Sequence, residues 1–180
     1  MSVIEISEAE PAEKASMDQR KIYTTSQKTC TGCRVCETIC SLVHDSSGIN
    51  PRTSRIRIVN LPEKGLIMPM VCRLCRNAPC VQACPVDALS QDPETGVIHV
   101  DSERCTGCGL CMEACDHNAI SLHPITRTVF ICDLCGGNPR CVKYCMNRTI
   151  VFASPEEYRT ARGRKTMDGT LTSFWSEAAG

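Results

Sequence analysis

The sequence predicts an α+β fold of short helices, small antiparallel hairpins and many loops, held by something other than a conventional core. Three observations carry this. All 16 cysteines fall into four tight groups. Without them roughly a third of the chain is apolar, below the usual share for a globular protein. Aromatics are scarce (three Phe, three Tyr, one Trp), and 10 Pro and 11 Gly interrupt the 180 residues. Side chains alone make a thin core at that length.

Residues 1–21 read as a flexible tail, acidic and polar, with little apolar periodicity. Residues 22–153 hold every cysteine group and form the main domain. Within it Arg55-Ile56-Arg57-Ile58-Val59 alternates like a strand, Val97 to Val100 follows a Pro93/Gly96 turn, and Ile120 to Ile131 forms a hairpin around Pro124. The CxxxC end of each group predicts one or two turns of helix. Ala88-Leu89 and Ala119-Ile120 follow two groups at matching offsets, marking an internal repeat. Residues 154–180 are a C-terminal extension, a short helix plus a loose tail.

The groups are CTGCRVCETIC (Cys30–Cys40), CRLCRNAPCVQAC (Cys72–Cys84), CTGCGLCMEAC (Cys105–Cys115) and CDLCGGNPRCVKYC (Cys132–Cys145). Disulfides, zinc and iron–sulfur clusters are the ordinary explanations for such density. Disulfides need an oxidising compartment. The start MSVIEISEAEPAEKASMDQ lacks a basic n-region, an apolar h-region and a twin-arginine pair, so a cytoplasmic setting is expected. No apolar run has the length of a membrane span, and no direct membrane insertion is expected. Zinc sites use CxxC as two pairs a dozen or more residues apart, closing one tetrahedron. Four thiols within eleven to fourteen residues, four times over, suit a larger inorganic group.

The x2 spacings bend three thiolates onto one object. The fourth cysteine stands at i+4 from the third, so the two lie side by side, Cβ atoms ~5–6 Å apart on one helix face. In bacterial ferredoxins this lets the fourth cysteine ligate the neighbouring cluster.

The order of spacings, x2-x2-x3, x2-x4-x3-Pro, x2-x2-x3 and x2-x5-x3, resembles that of four-cluster ferredoxin-like electron-transfer subunits of molybdenum and tungsten oxidoreductases. The resemblance covers residues 22–153. CTGCRVCETICSLVH and NPRTSRIRIV are most similar to the small iron–sulfur partners of tungsten aldehyde oxidoreductases, with partners of dimethyl-sulfoxide-reductase type as the alternative. It implies a four-cluster polyferredoxin domain of two nested bacterial-ferredoxin-like modules. In the inner module, residues 66–125, one [4Fe–4S] cluster is held by Cys72, Cys75, Cys80 and Cys115, and another by Cys105, Cys108, Cys111 and Cys84. In the outer module the sets are Cys30, Cys33, Cys36 and Cys145, and Cys132, Cys135, Cys141 and Cys40.

Only Cys84 is followed by proline, Pro85; Ser41, Asp116 and Met146 stand in that place elsewhere. Asp116 either lowers the potential of a cluster beside it or is an ordinary surface carboxylate. Gly136-Gly137 is expected to let its loop skirt the cluster. Each oxidised cluster carries about −2 with its thiolates, so four add roughly −8 to a chain with 20 basic and 20 acidic residues. Arg34, Arg73, Arg76, Arg104, Arg140 and Lys143 stand in or beside the groups and could offset it. The basic run at 52–57 reads as a solvated strand face.

A [4Fe–4S] cluster with four thiolates moves single electrons and offers substrate no vacant iron. No cysteine is left over as a nucleophile, and neither a strand-following GxGxxG nor a P-loop is present. His44, His99, His117 and His123 have no ligand constellation of their own and are expected to be structural or surface residues. A zinc-dependent nucleic-acid module would need net basic charge and stacking aromatics, and this chain has neither. The expected function is therefore non-catalytic: electron transfer between a catalytic tungsten or molybdenum subunit and a flavoprotein or soluble ferredoxin-like carrier. A free-standing polyferredoxin is the alternative. Phe174-Trp175 is an apolar pair that a partner could bury, and a row of clusters open at both ends would also permit head-to-tail self-association.

Overall fold

The opening CxxC loops of the four groups share one backbone feature. Their second intervening residue lies in the left-handed region: Gly32 (φ 70°), Leu74 (48°), Gly107 (67°) and Leu134 (58°). Glycine reaches this region without steric cost, whereas a bulky side chain is strained there. Leu74 and Leu134 are held in it by burial, at 3% and 4% exposure. The left-handed turn points the backbone N–H of Leu74 at the Cys72 sulfur and that of Leu134 at Cys132.

The computed structural model describes residues 20–25, 30–45 and 48–163. The expectations for residues 1–19 and 164–180, Phe174-Trp175 included, lie outside these. In chain order the elements are β1 (Lys21–Thr24), α1 (Val35–His44), β2 (Arg57–Leu61), β3 (Leu66–Met70), α2 (Pro79–Gln82), β4 (Leu89–Gln91), β5 (Ile98–Val100), α3 (Leu110–Glu113), β6 (Ser121–Leu122), β7 (Val129–Phe130), α4 (Arg140–Lys143), β8 (Ile150–Ala153) and α5 (Pro155–Gly163). The strands form two-stranded antiparallel sheets: β1 with β8, β2 with β3, β4 with β5 and β6 with β7. This is the small mixed helix–strand architecture expected.

Two details differ from the sequence expectation. The partner of the 55–59 segment is Leu66–Met70, with Ile58 opposite Pro69. A proline is tolerated there because a two-stranded sheet is all edge. The helical pieces also differ in length. α2, α3 and α4 are single turns of four residues, whereas α1 runs for ten. After Cys84, Cys115 and Cys145 the chain meets a left-handed residue three positions on, at Asp87, Asn118 and Arg148. Nothing comparable interrupts Ser41-Leu42-Val43-His44, so α1 continues past Cys40.

The buried side chains form two clusters. One gathers Ile22, Ile56, Ile58, Val71 and Ile150 with Cys36, Cys40, Cys132 and Cys141. The other gathers Leu89, Ile98, Ile120, Val129 and Ile131 with Cys80 and Cys111. Cys72 packs against both. α1 lies against α4, and α2 against α3. The β1–β8 register, Lys21 opposite Ala153 through Thr24 opposite Ile150, closes the first cluster with strands more than 120 residues apart. Beyond it α5 begins with reciprocal capping: Glu157 N–H donates to Ser154 Oγ (3.2 Å), and Ser154 N–H donates to Glu157 Oε2 (2.7 Å). Tyr158 then stacks on Tyr23 with centroids 4.1 Å apart, an arrangement that contributes about 0.5–1.5 kcal/mol beyond burial.

Gly136 and Gly137 are exposed, and a Cβ at either would meet no protein atom within 4 Å. Glycine is needed there for φ values of 66° and 93°. Gly107 is the position where space is limiting, because an added Cβ would run into the Arg127 carbonyl oxygen. Gly107→Ala should therefore destabilise the cluster-loaded protein by about 1–3 kcal/mol. Gly109→Ala, equally left-handed but open, should cost less. Equal melting temperatures for the two variants would contradict the steric argument.

Candidate metal centres

Cysteines distant in sequence converge on shared cavities. One is lined by Cys30, Cys33, Cys36 and Cys145, a second by Cys72, Cys75, Cys80 and Cys115, and a third by Cys84, Cys105, Cys108 and Cys111. Their empty volumes, mouths included, are about 370, 440 and 290 Å³. The remaining four also neighbour one another: the Cys141 thiol is pushed up by burial and then by Cys132, Cys40 and Cys135.

In each group the first three cysteines face one centre and the fourth faces another. The short helix presents the third; the bend after it carries the fourth away. The bend also supplies a donor to the sulfur. Ala88 N–H reaches Cys84 Sγ at 3.2 Å, and Ala119 N–H reaches Cys115 Sγ at 3.5 Å. Ala88 and Ala119, at matching offsets, thus play the same backbone role. Cys40, on the longer helix, takes its N–H from Arg55 instead, at 3.3 Å.

Burial dominates the thiol acidities. It pushes Cys36 and Cys132 up to about 12 and Cys80 and Cys111 up to about 11. Neighbouring sulfurs add to this: Cys72 and Cys115 for Cys80, Cys105 and Cys108 for Cys111. Sulfurs held this way need a strongly charged metal group to become thiolates, and binding it releases their protons. Zinc fits the donor type, but its sites use CxxC as two pairs a dozen or more residues apart, whereas each cavity here gathers three cysteines of one group and the fourth of another. That exchange of fourth cysteines is the bacterial-ferredoxin arrangement around iron–sulfur cores. No disulfide joins the sixteen cysteines.

Of the sixteen, Cys33 and Cys108 are exposed. The quartets also lie close enough for their sulfurs to feel one another's charge. Cys141 feels Cys36, Cys132 feels Cys72, and Cys111 feels Cys80. This links the Cys30, Cys132, Cys72 and Cys105 quartets in that order.

Among the flagged cations, Arg34 lines the first cavity and pairs with buried Glu37 at 3.2 Å, and Arg73 lines the second. Arg76, Arg104, Arg140 and Lys143 are exposed. Asp116 is exposed at the rim of the second cavity. The 52–57 run is not a solvated face. Arg57 Nε donates to Ser121 Oγ at 2.8 Å, and Arg55 pairs with Asp133 at 2.5 Å. His99 is exposed, His117 lines the second cavity, and His123 Nδ1 accepts from Ile125 and Thr126 N–H. His44 departs from expectation, since its Nε2 lies 3.5 Å from both Cys135 Sγ and Asp133 Oδ1. Among the described residues, no helix is long and apolar enough to cross a membrane.

Protein isolated without oxygen should be brown, with broad absorbance near roughly 400 nm and equal iron and acid-labile sulfide. Chelating the iron should abolish the far-UV circular dichroism of residues 22–153, because the cysteines that would hold the metal groups are also members of the two apolar clusters. A native spectrum after chelation, or about one zinc per quartet, would contradict this.

Known proteins agree with this chemistry. Residues 64–154 match the 4Fe-4S dicluster domain. The polyferredoxin-like subunit of an aliphatic sulfonate oxidoreductase from Pyrococcus furiosus is 47% identical over 116 residues, covering 64% of this chain and 66% of that one, just under two thirds of its length. The thiosulfate reductase electron transfer subunit PhsB of Salmonella typhi is 30% identical over 151 residues, covering 76% of this chain and 77% of PhsB. An NrfC homolog of Haemophilus influenzae is 29% identical over 169 residues, 86% of this chain and 74% of the homolog. This chain belongs to the 4Fe-4S dicluster domain family, and what its cysteines hold are [4Fe–4S] clusters.

Proposed function

We propose that this protein is the electron-transfer subunit of an oxidoreductase complex, joining a catalytic tungsten or molybdenum subunit to a flavoprotein or another carrier through four [4Fe–4S] clusters. The observation that carries this is the chain of four adjoining thiol quartets, with exposed cysteines, Cys33 and Cys108, in the two outermost. When bound, such clusters supply one-electron transfer and leave no iron position for substrate. The residues of this chain set the order and the ends. Cys30, Cys33, Cys36 and Cys145 hold one terminus; Cys105, Cys108, Cys111 and Cys84 hold the other. Between them stand Cys132, Cys135, Cys141 and Cys40, then Cys72, Cys75, Cys80 and Cys115. The two inner quartets have no exposed cysteine, which suits transit, and the outer ones each have one, where a partner can approach.

The motifs CTGCRVCETICSLVH and NPRTSRIRIV favour a tungsten aldehyde oxidoreductase as the catalytic partner; the setting we propose is cytoplasmic. A second reading is favoured by the 47% identity to the sulfonate oxidoreductase subunit: the terminal substrate is then a sulfonate. A complex containing several copies of this chain would extend the proposal to head-to-tail self-association.

Oxygen-free purification from the native host tests the subunit role. Tungsten or molybdenum should co-purify with a large catalytic chain, and aldehyde or sulfonate oxidation assays then separate the two substrates. Recovery as a lone chain at physiological salt would overturn the subunit role. The ligand exchange is tested by electron paramagnetic resonance. Cys115→Ser and Cys75→Ser should perturb the same signal, and Cys108→Ser a different one. Grouping Cys115 with Cys108 instead would overturn the exchange.

A further inference from the structure

We propose that His44 is a potential-tuning residue: its Nε2–H donates to Cys135 Sγ and raises the reduction potential of the cluster held by Cys40, Cys132, Cys135 and Cys141. This rests on the cluster assignment proposed above and adds a role for a side chain outside the ligand set.

The placement follows from the extra length of α1. In the other three groups the chain turns left-handed three residues after the fourth cysteine, so no side chain can stand one helical turn beyond it. α1 alone continues, and His44 lies at i+4 from Cys40 on the same helix face. Because α1 packs on α4, that face meets the start of group four. The His44 side chain is 13% exposed, with Nε2 at 3.5 Å from Cys135 Sγ and at 3.5 Å from Asp133 Oδ1. Two acceptors face this nitrogen and assign it a proton. The donor is present whether the ring is neutral or cationic.

Asp133 is itself fixed. Its carboxylate pairs with Arg55 at 2.5 Å and accepts Cys135 N–H at 2.9 Å. Arg55 also donates its backbone N–H to Cys40 Sγ. The network therefore touches two sulfurs of one quartet. Cys84 and Cys115 take backbone N–H donors, whereas Cys135 has a side chain beside it in addition to the Arg140 backbone N–H. A donor on a ligand sulfur withdraws charge from the thiolate and favours the reduced cluster.

The test is a redox titration of the full-length, cluster-loaded protein followed by electron paramagnetic resonance. In His44→Phe one midpoint of the four should fall, by about tenfold in the reduction equilibrium or ~59 mV for one electron. His44→Gln, which keeps an N–H donor, should restore part of the shift. Iron and sulfide should stay at the wild-type level in both. Unmoved midpoints overturn the proposal. So does loss of about four irons from His44→Phe, which would make His44 a ligand. One zinc per chain that disappears with His44 would instead make His44, Asp133 and Cys135 a separate site, and also overturns it. Should His44→Phe fail to fold, Arg55→Met reads the same network: it unpairs Asp133 beside Cys135, and the same midpoint must fall. Absence of four clusters from the wild type would sink the functional reading instead, a separable result.

Discussion

The bond between sulfur and iron is the constraint from which the rest of this structure follows. Sixteen thiols stand in quartets, and burial, with neighbouring sulfurs adding to it, pushes the pKa of several of them well above the ordinary thiol value. Such an arrangement has no stable meaning without a positively charged core to bind the thiolates. The apolar residues are distributed accordingly. They form two small clusters, each with cysteines as members. The inorganic groups complete what the side chains leave thin.

Local backbone geometry serves the same end. Each group's opening CxxC loop passes through a left-handed residue, and two of the four accept a leucine there at a steric cost of roughly 1–2 kcal/mol each. The return is a backbone N–H on the first sulfur and a buried apolar anchor in the core. Donors on sulfur are the means by which a protein sets a cluster's potential. The same loops that hold the metal thus also adjust it, and function and stability are not separable here.

Several elements were present in the sequence but not legible. Ser154-Pro-Glu-Glu157 is a capping box that marks the start of α5, and its reciprocal bonds are made. Leu66–Met70 carries Pro69, which counts against a strand on local grounds, and its two-stranded pairing with Arg57–Leu61 leaves that proline on an edge where it is tolerated. Arg55 and Arg57 looked like one polar face of an isolated strand. They turn inward because Asp133 and Ser121, both more than 60 residues away, supply their partners. The glycine pair at 136–137 answers a torsional demand, since both positions have positive φ.

Spacing determined the chemistry of this protein. Thiols two and three residues apart can only bend onto a common centre or lie together on a helical turn, and those are short-range facts of the chain. Tertiary structure decided which thiols meet. Cys145 reaches Cys30, Cys33 and Cys36 because β1 pairs with β8 and α1 packs on α4, across more than 100 residues. His44 reaches Cys135 for the same reason, at a separation of 91 residues. Local periodicity holds no record of such contacts, since they depend on how two distant segments pack rather than on either segment's own pattern.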